Sequence, residues 1–225
     1  MGGAAPIRID FHFDTTCPWC FIGKRRLGRA LAQRPEIPAE TRWMPFLLNP
    51  DLPPEGLPRQ AYLERKFGGD RRIERILAAV SQAGAMEDIR FDFARIERTP
   101  NTALSHQLVR FANSFGCQAD VVEALFKAYF VDGLDIGDVE VLLDIGARFD
   151  LPLGRLAKHL ANDAAVDGIQ RDNARAGHMG ITGVPAIVID QAFALAGAQD
   201  SEILVRLIDL AAHARSEAAP LPMSF

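Results

Sequence analysis

The sequence has few cysteines, three in 225 residues, and it has no long apolar run. Three cysteines are too few for a disulfide scaffold in a chain of this length, and an odd number leaves one thiol unpaired. No apolar stretch approaches the roughly 20 residues that a transmembrane helix needs. The N-terminus also lacks a charged start followed by an apolar segment, so we expect no secretory signal. These absences predict a cytoplasmic protein that is not embedded in a membrane.

Clustered charge of one sign is absent as well. The chain has 25 Lys and Arg residues against 29 Asp and Glu, and the two signs are interspersed. Nucleic acids and anionic membranes attract proteins through concentrated basic residues, so neither is an expected partner. With 48% hydrophobic residues, the chain is able to build a sizeable core.

The first 50 residues carry the pattern of a βαβ unit. Apolar and polar residues alternate over residues 7–13, which predicts a strand. We expect a helix over residues 20–33, with Pro18 in its first turn, where a missing N–H group costs nothing. Residues 42–48 are predicted to form a second strand, and Pro45 restricts that strand to a sheet edge or a bulge.

The middle of the chain is helical in pattern, and its end returns to β structure. Helical spacing of apolar residues predicts several consecutive helices between residues 58 and 176. Strands are expected at residues 186–190 and 192–196, followed by a helix from residue 201 to about residue 214. The fold class is therefore α/β with a mixed sheet. We predict one domain from residues 1–57 and 177–225, and an all-helical insertion subdomain from residues 58–176.

The residues Cys17-Pro18-Trp19-Cys20 follow the first predicted strand directly, at the start of the helix. A helix N-terminus favours negative charge, so Cys17 is expected to be the attacking thiolate. Cys20 lies one turn later on the same face and would resolve the mixed disulfide that Cys17 forms. Trp19 is expected to be exposed and to offer substrate an apolar docking surface.

Two other interpretations of the cysteine pair exist. In the first interpretation, the pair is half of a structural zinc site. Such a site needs a second ligand pair, and the five histidines are scattered without ligand spacing. The two thiols would alternatively be inert and buried. The strand–turn–helix context favours redox chemistry, so we expect no metal and no required cofactor. Cys117 is expected to be buried and structural.

A second motif, Gly180-Ile181-Thr182-Gly183-Val184-Pro185, directly precedes the predicted strand at residue 186. Proline is permitted at the start of a strand. Only about 5% of such peptide bonds are cis in folded proteins, so the sequence leaves the isomer of the Val184–Pro185 bond open.

Together, the two motifs resemble the DsbA-like branch of the thioredoxin superfamily. The similarity is greatest to the FrnE-like oxidoreductases, which are related to the 2-hydroxychromene-2-carboxylate isomerases and the kappa-class glutathione transferases. It extends over about residues 7–214 and includes the following segments: Cys17 to Leu27, Pro100 to His106, Ala128 to Phe130, Asp135 to Gly137 and Ala196 to Gln199.

The resemblance implies a thioredoxin fold (βαβ followed by ββα) with a large helical insertion. It implies a cis-proline, Pro185, that faces the dithiol and lets the Val184 backbone pair with an extended substrate. It also implies a glutathione site near Asn49, Val184, Asp200 and Ser201, which makes glutathione a candidate co-substrate. The start of the last helix is a plausible anion site on physical grounds, but Asp200 is equally able to cap that helix.

The chain departs from the resemblance at two positions. The isomerase and kappa branches usually carry serine where this chain has Cys17, which weakens the isomerase interpretation. Many thioredoxin-like enzymes have a buried acid six residues before the nucleophile, and Phe11 stands there instead. Asp14 is nearer the turn, where we expect it to be solvated, and we assign it no catalytic role.

The sequence thus favours a thiol–disulfide oxidoreductase or isomerase acting on protein or small-molecule disulfides. The alternative is a glutathione-dependent isomerase or transferase acting on a small aromatic or polyketide-like substrate. A non-catalytic binding module is a third hypothesis. The redox potential, the substrate and the oligomeric state, including a homodimer, are not determined by the sequence.

Overall fold

A computed structural model describes residues 5–218 of the chain. Residues 1–4 and 219–225, which belong to the domain predicted from residues 1–57 and 177–225, lie outside the described residues. The strands are β1 (Ile7–Phe13), β2 (Ala39–Pro45), β3 (Leu57–Pro58), β4 (Arg98–Thr99), β5 (Ala186–Ile189) and β6 (Phe193–Ala196). The α-helices are α1 (Pro18–Ala32), α2 (Arg59–Phe67), α3 (Asp70–Ala85), α4 (Ala103–Asn113), α5 (Gln118–Phe130), α6 (Val139–Ala147), α7 (Leu153–Leu160), α8 (Asp163–His178) and α9 (Ser201–Ala218).

The central sheet is mixed and has the strand order β2-β1-β5-β6. Strands β1 and β2 are parallel and are joined by α1, which confirms the predicted βαβ unit. Strand β5 runs antiparallel to β1, and β6 runs antiparallel to β5. Strand β2 lies at the sheet edge, as Pro45 requires. The predicted bounds of β1 are correct because the strand carries a clear two-residue alternation.

The predicted bounds of β2 are wrong by three residues, because the strand covers residues 39–45 and not 42–48. Side chains take the backbone donors that would continue the ladder. The Leu47 N–H donates to Asn173 Oδ1, and the Leu48 N–H donates to Asp14 Oδ2, both at 2.8 Å. The strand therefore ends where side-chain acceptors replace the neighbouring strand.

The helices α2 to α8 lie between β2 and β5 in sequence, which confirms the predicted helical insertion. The small sheet of β3 and β4 was not predicted, because two-residue strands are too short to show a period. Helix α4 begins at Ala103, with Thr102 at its N-cap. The boundaries at residues 58 and 176 remain a prediction. Among the described residues, no helix is long and apolar enough to cross a membrane.

Aromatic residues join the insertion to the helix that carries the cysteines. The Phe21 ring of α1 stacks on the Phe126 ring of α5, with centroids 5.0 Å apart. Phe13, at the end of β1, meets the same Phe126 ring edge-on at 6.0 Å. All three side chains are almost fully buried. This shared core fixes the insertion beside the start of α1, because buried aromatic contacts dominate packing energy.

Candidate active site

Cys17 occupies the N-cap position of α1, and Pro18 follows in its first turn. The Cys17 carbonyl accepts hydrogen bonds from the Cys20 N–H at 3.0 Å and from the Phe21 N–H at 3.4 Å. No side chain caps this helix end. Cys17 therefore lies at the positive end of the α1 dipole.

The two sulfurs differ in their access to solvent. Both cysteines are free thiols; Cys17 is 4% exposed, whereas Cys20 is completely buried. Burial raises the pKa of Cys20 well above its ordinary value, and a hydrogen bond with Cys17 raises it further. Cys20 is consequently a protonated thiol at neutral pH, and Cys17 is the sulfur that an incoming disulfide meets first.

The structure brings the second sequence motif to the dithiol. The Val184–Pro185 peptide bond is cis, and the Cys17 Sγ lies 3.6 Å from the Val184 carbonyl oxygen. Helix α1 approaches Pro185 closely at Gly23, where a Cβ atom would lie 3.2 Å from Pro185 Cγ and 3.3 Å from Phe11 Cζ. Gly23 thus permits the approach that places Pro185 beside the cysteines.

The expectation that Asp14 is solvated is wrong, because its side chain is completely buried. Asp14 Oδ1 accepts bonds from the Thr16 N–H and hydroxyl, both at 2.8 Å. Its Oδ2 accepts bonds from the Leu48 N–H at 2.8 Å and the Thr102 hydroxyl at 3.2 Å. The Asp-x-Thr spacing of an Asx-turn was a sequence signal for the first pair of bonds, but the distant partners had none.

Apolar surface surrounds the cysteines. Trp19, between them in sequence, is 39% exposed, in agreement with the sequence prediction. A cavity of about 670 Å³ lies along the cis-proline segment and strands β5 and β6, and Val184 and Pro185 are part of its lining. Met179 and Ile181 add apolar side chains to the same lining. Apolar side chains thus line the cis-proline side of the Cys17–Val184 contact.

Asn49 lies in the loop after β2 and has partners from α2. Its Nδ2 donates to the Tyr62 hydroxyl at 3.1 Å, and its Oδ1 accepts a bond from Lys66 Nζ at 3.2 Å. These side chains and Arg65 line a cavity of about 260 Å³. The loop is fixed next to the dithiol through the Leu48 bond to Asp14. Asn49 therefore lies in a small, basic cavity near the dithiol turn.

Asp200 and Ser201 lie at the start of α9. Asp200 is exposed, and its carboxylate pairs with Arg26 of α1 at 2.8 Å. Arg26 also donates to the Ala198 carbonyl at 2.7 Å and forms an ion pair with Glu87 at 2.9 Å. Asp200 thus helps to hold the start of α9 against α1, and the structure gives Asn49 and Asp200 different protein partners.

Two other predictions concern thiols and metals. Cys117 is half-buried and not buried as expected, and its Sγ donates to the Ala112 carbonyl at 3.7 Å. Within residues 5–218, no group of three or more His, Cys, Asp or Glu side chains is arranged to hold a metal ion.

The βαβ and ββα halves, with a Cys-x-x-Cys pair at a helix start opposite a cis-proline, define a thioredoxin-fold protein. Residues 8–209 match the DSBA-like thioredoxin domain, and the chain belongs to that family. The probable DsbA oxidoreductase of Streptomyces coelicolor is similar to it in structure, with a TM-score of 0.84 and 26% identity. That match covers 97% of this chain and 94% of the other.

Two more distant structures share the fold. A 2-hydroxychromene-2-carboxylate isomerase matches with a TM-score of 0.69 and 15% identity, over 95% of this chain and all of the other. The cytosolic disulfide reductase DsbM of Pseudomonas aeruginosa, in a structure with GSH, matches with a TM-score of 0.57 and 17% identity, over 94% and 98% of the two chains. The family and its structural neighbours support thiol–disulfide oxidoreductase or isomerase chemistry in general.

Proposed function

We propose that this protein is a thiol–disulfide oxidoreductase or isomerase in which Cys17 attacks and Cys20 resolves. One observation supports these roles above all others. Cys17, at the N-cap of α1, is 4% exposed and its sulfur lies 3.6 Å from the Val184 carbonyl oxygen, while Cys20 is completely buried one turn further on. A nucleophile needs access to its substrate, whereas a resolving thiol needs only to reach the nucleophile.

The proposed reaction moves two electrons. The Cys17 thiolate attacks one sulfur of the substrate disulfide, and the other substrate sulfur leaves as a thiolate that takes up a proton. Cys20 then loses its proton and attacks the Cys17 sulfur, which releases the second substrate thiolate. The substrate disulfide is reduced, and Cys17 and Cys20 are oxidised to a disulfide. The reverse sequence oxidises a substrate dithiol. In isomerisation, a different substrate thiolate attacks the mixed disulfide and releases the Cys17 thiolate, so the substrate sulfurs are re-paired with no net oxidation.

We assign substrate contacts to the surface around Cys17. Pro18 and the exposed Trp19 form one side, and Val184 with Pro185 forms the other. An extended peptide pairing with the Val184 backbone would place its disulfide over the Cys17 sulfur, in the manner of strand addition. The substrate class is therefore a disulfide-bearing protein or a small disulfide, and we expect no nucleic-acid or membrane partner.

Insulin reduction with dithiothreitol tests the proposal. We expect the wild-type protein to accelerate insulin precipitation and the Cys17→Ser variant to return it to the rate of dithiothreitol alone. Cys117→Ser is the matched control, because it removes a free thiol outside the dithiol and should act like the wild type. A Cys17→Ser variant as active as the wild type would disprove the assigned role of Cys17.

The second candidate function is a glutathione-dependent isomerase or transferase acting on a small aromatic or polyketide-like molecule. The cavity at Asn49 favours it, because Lys66 and Arg65 supply positive charge for a glutathione carboxylate close to the dithiol turn. The N-terminus of α9 at Ser201 would offer free N–H groups to a second carboxylate. The 2-hydroxychromene-2-carboxylate isomerase and the DsbM structure with GSH provide precedents for these ligands on the same fold.

Calorimetric titration with reduced glutathione separates the two functions. The Cys17→Ser variant is used, so that binding is measured without disulfide exchange. Measurable heat that disappears in Asn49→Ala would support a glutathione site, and Gln60→Ala on the exposed side of α2 serves as control. The absence of binding would remove the transferase hypothesis and leave the disulfide chemistry intact. A cytoplasmic location and the oligomeric state, including a homodimer, remain predictions.

A further inference from the structure

Asp14 is part of the hydrogen-bonded turn that carries the dithiol. Its carbonyl oxygen accepts the Cys17 N–H at 3.0 Å, and the Cys17 carbonyl in turn accepts the Cys20 N–H at 3.0 Å. Asp14 and Cys20 are both completely buried. The Asp14 side chain thus belongs to the same buried turn as the two cysteines, in a region where water does not screen its charge.

Four donors hold the Asp14 carboxylate. They come from three parts of the chain: Thr16 in the dithiol turn, Leu48 after β2, and Thr102 at the start of α4. Each donor stabilises negative charge on the carboxylate oxygens, and together they leave the group little freedom to turn away. The fold thus holds the Asp14 carboxyl group immobile in the turn that carries the reacting thiols.

We propose that Asp14 is a positioning residue that shifts the dithiol toward reducing reactions, because its fixed negative charge disfavours a thiolate in the reduced form. This inference rests on the proposed disulfide chemistry. A dithiol whose thiolate is less stable gives up its electrons more readily, so the pair is a better reductant. A dithiol whose thiolate is stabilised is favoured over the disulfide, so the pair is a stronger oxidant. Asp14 therefore acts on the equilibrium between dithiol and disulfide without touching the substrate.

The neighbouring charges agree with this inference. Burial is the main cause that raises the pKa of Cys20, and a hydrogen bond and charge interaction with Cys17 raise it further. A hydrogen bond with the Asp14 backbone lowers this pKa, whereas the charge of the Asp14 side chain raises it. His106 on α4 packs its ring against Phe13 at 5.0 Å. Burial lowers the pKa of His106 to about 4, so the ring is neutral at pH 7 and does not offset the Asp14 charge. The Thr15–Ser105 contact beside it consists of two neutral hydroxyls.

Equilibration with defined mixtures of reduced and oxidised glutathione at pH 7 measures this effect. The oxidised fraction is read by mass spectrometry after rapid alkylation. We expect Asp14→Asn to shift the equilibrium toward the dithiol by at least about fivefold, where tenfold would correspond to about 30 mV. Thr102→Val is the matched control, because it removes a donor to Asp14 and keeps the charge. It should leave the equilibrium unchanged or shift it toward the disulfide.

Each outcome decides the inference. An unchanged equilibrium in Asp14→Asn overturns it, and so does an equal shift in Thr102→Val, which would mean that Asp14 acts only as a structural support. If Asp14→Asn does not fold, the Thr16→Val, Thr102→Val double variant replaces it, because the charge stays while two donors are lost. That variant should move toward the disulfide, and either an unchanged equilibrium or a move toward the dithiol contradicts the inference. A wild-type protein that shows no dithiol–disulfide equilibrium at all would instead refute the proposed function.

Discussion

The Cys17 sulfur lies 3.6 Å from the carbonyl oxygen of Val184, a residue 167 positions later in the chain. The fold makes this contact by pairing β5 with β1 in antiparallel orientation. The last residues of β1 and the first residues of β5 therefore lie side by side at the same end of the sheet. The thiol of Cys17, which follows β1, thus faces the carbonyl of Val184, which precedes β5. This juxtaposition gives a substrate both a nucleophile and a backbone hydrogen-bonding partner.

The two thiols should differ in reactivity toward iodoacetamide. At pH 7 we expect Cys17 to be alkylated about tenfold or more faster than Cys20, because Cys20 is buried and its pKa is raised. Peptide mass spectrometry after short exposures measures both rates. The Cys20→Ser variant should show the same rate at Cys17. Equal labelling of both cysteines would contradict the assignment of nucleophile and resolving thiol.

Loss of the resolving thiol should trap the reaction halfway. In Cys20→Ser, Cys17 still attacks, but the protein has no resolving thiol to release the substrate, so a mixed disulfide should accumulate when oxidised substrate is added without dithiothreitol. We expect insulin reduction to fall by about tenfold or more and adducts to appear on non-reducing gels. The Cys17→Ser variant provides the control, since it should form no adduct. Adducts that persist in Cys17→Ser would assign the attack to a different sulfur.

Gly23 and Gly28 offer a matched pair of substitutions on α1. A side chain at Gly23 meets Pro185 and Phe11, whereas nothing lies within 4 Å of the position that a side chain at Gly28 would take. We expect Gly23→Val to reduce the free energy of unfolding by about 1–3 kcal/mol through overpacking and to lower insulin reductase activity. Gly28→Val should change the unfolding free energy by about 0.5 kcal/mol or less.

Urea unfolding of the two variants measures this difference. Similar midpoints for Gly23→Val and Gly28→Val would show that Pro185 and Phe11 move aside without cost, and the close packing of α1 on Pro185 would then have no energetic role.

His106 should make stability depend on pH. Burial lowers its pKa to about 4 in the folded protein, so between pH 6.5 and 4 the unfolded chain binds a proton that the folded chain does not. Above pH 6.5, His106 therefore has no effect on how the free energy of unfolding depends on pH. As the pH falls to 4, proton binding by the unfolded chain lowers the free energy of unfolding by up to roughly 3 kcal/mol. His106→Leu should remove this part of the pH dependence and keep the apolar contact with Phe13.

Urea unfolding at pH 7, 5.5 and 4 measures the slope. His178→Gln, an exposed substitution at the end of α8, is the control and should follow the wild type. Parallel pH profiles for wild type and His106→Leu would show that the buried ring does not couple folding to protons.

Local sequence was enough to predict the first strand and the dithiol helix. The two-residue alternation of β1 and the strand–turn–helix order place Cys17 at a helix start without any knowledge of distant contacts. The bounds of β2 were misplaced because the strand is ended by Asp14 and Asn173, whose side chains reach it from elsewhere in the fold. The burial of Asp14 was missed for the same reason, since Thr102 lies 88 residues away.

By itself the sequence determined the chemistry that is available: two thiols spaced by one helical turn, at an end of a helix where negative charge is favoured. Tertiary structure alone decided which groups surround them. The Val184 carbonyl beside Cys17, the Leu48 and Thr102 donors to Asp14, and the Pro185 ring against Gly23 all arise from chain segments that meet only after folding. Contacts of this kind depend on packing between distant elements, which local propensities do not encode.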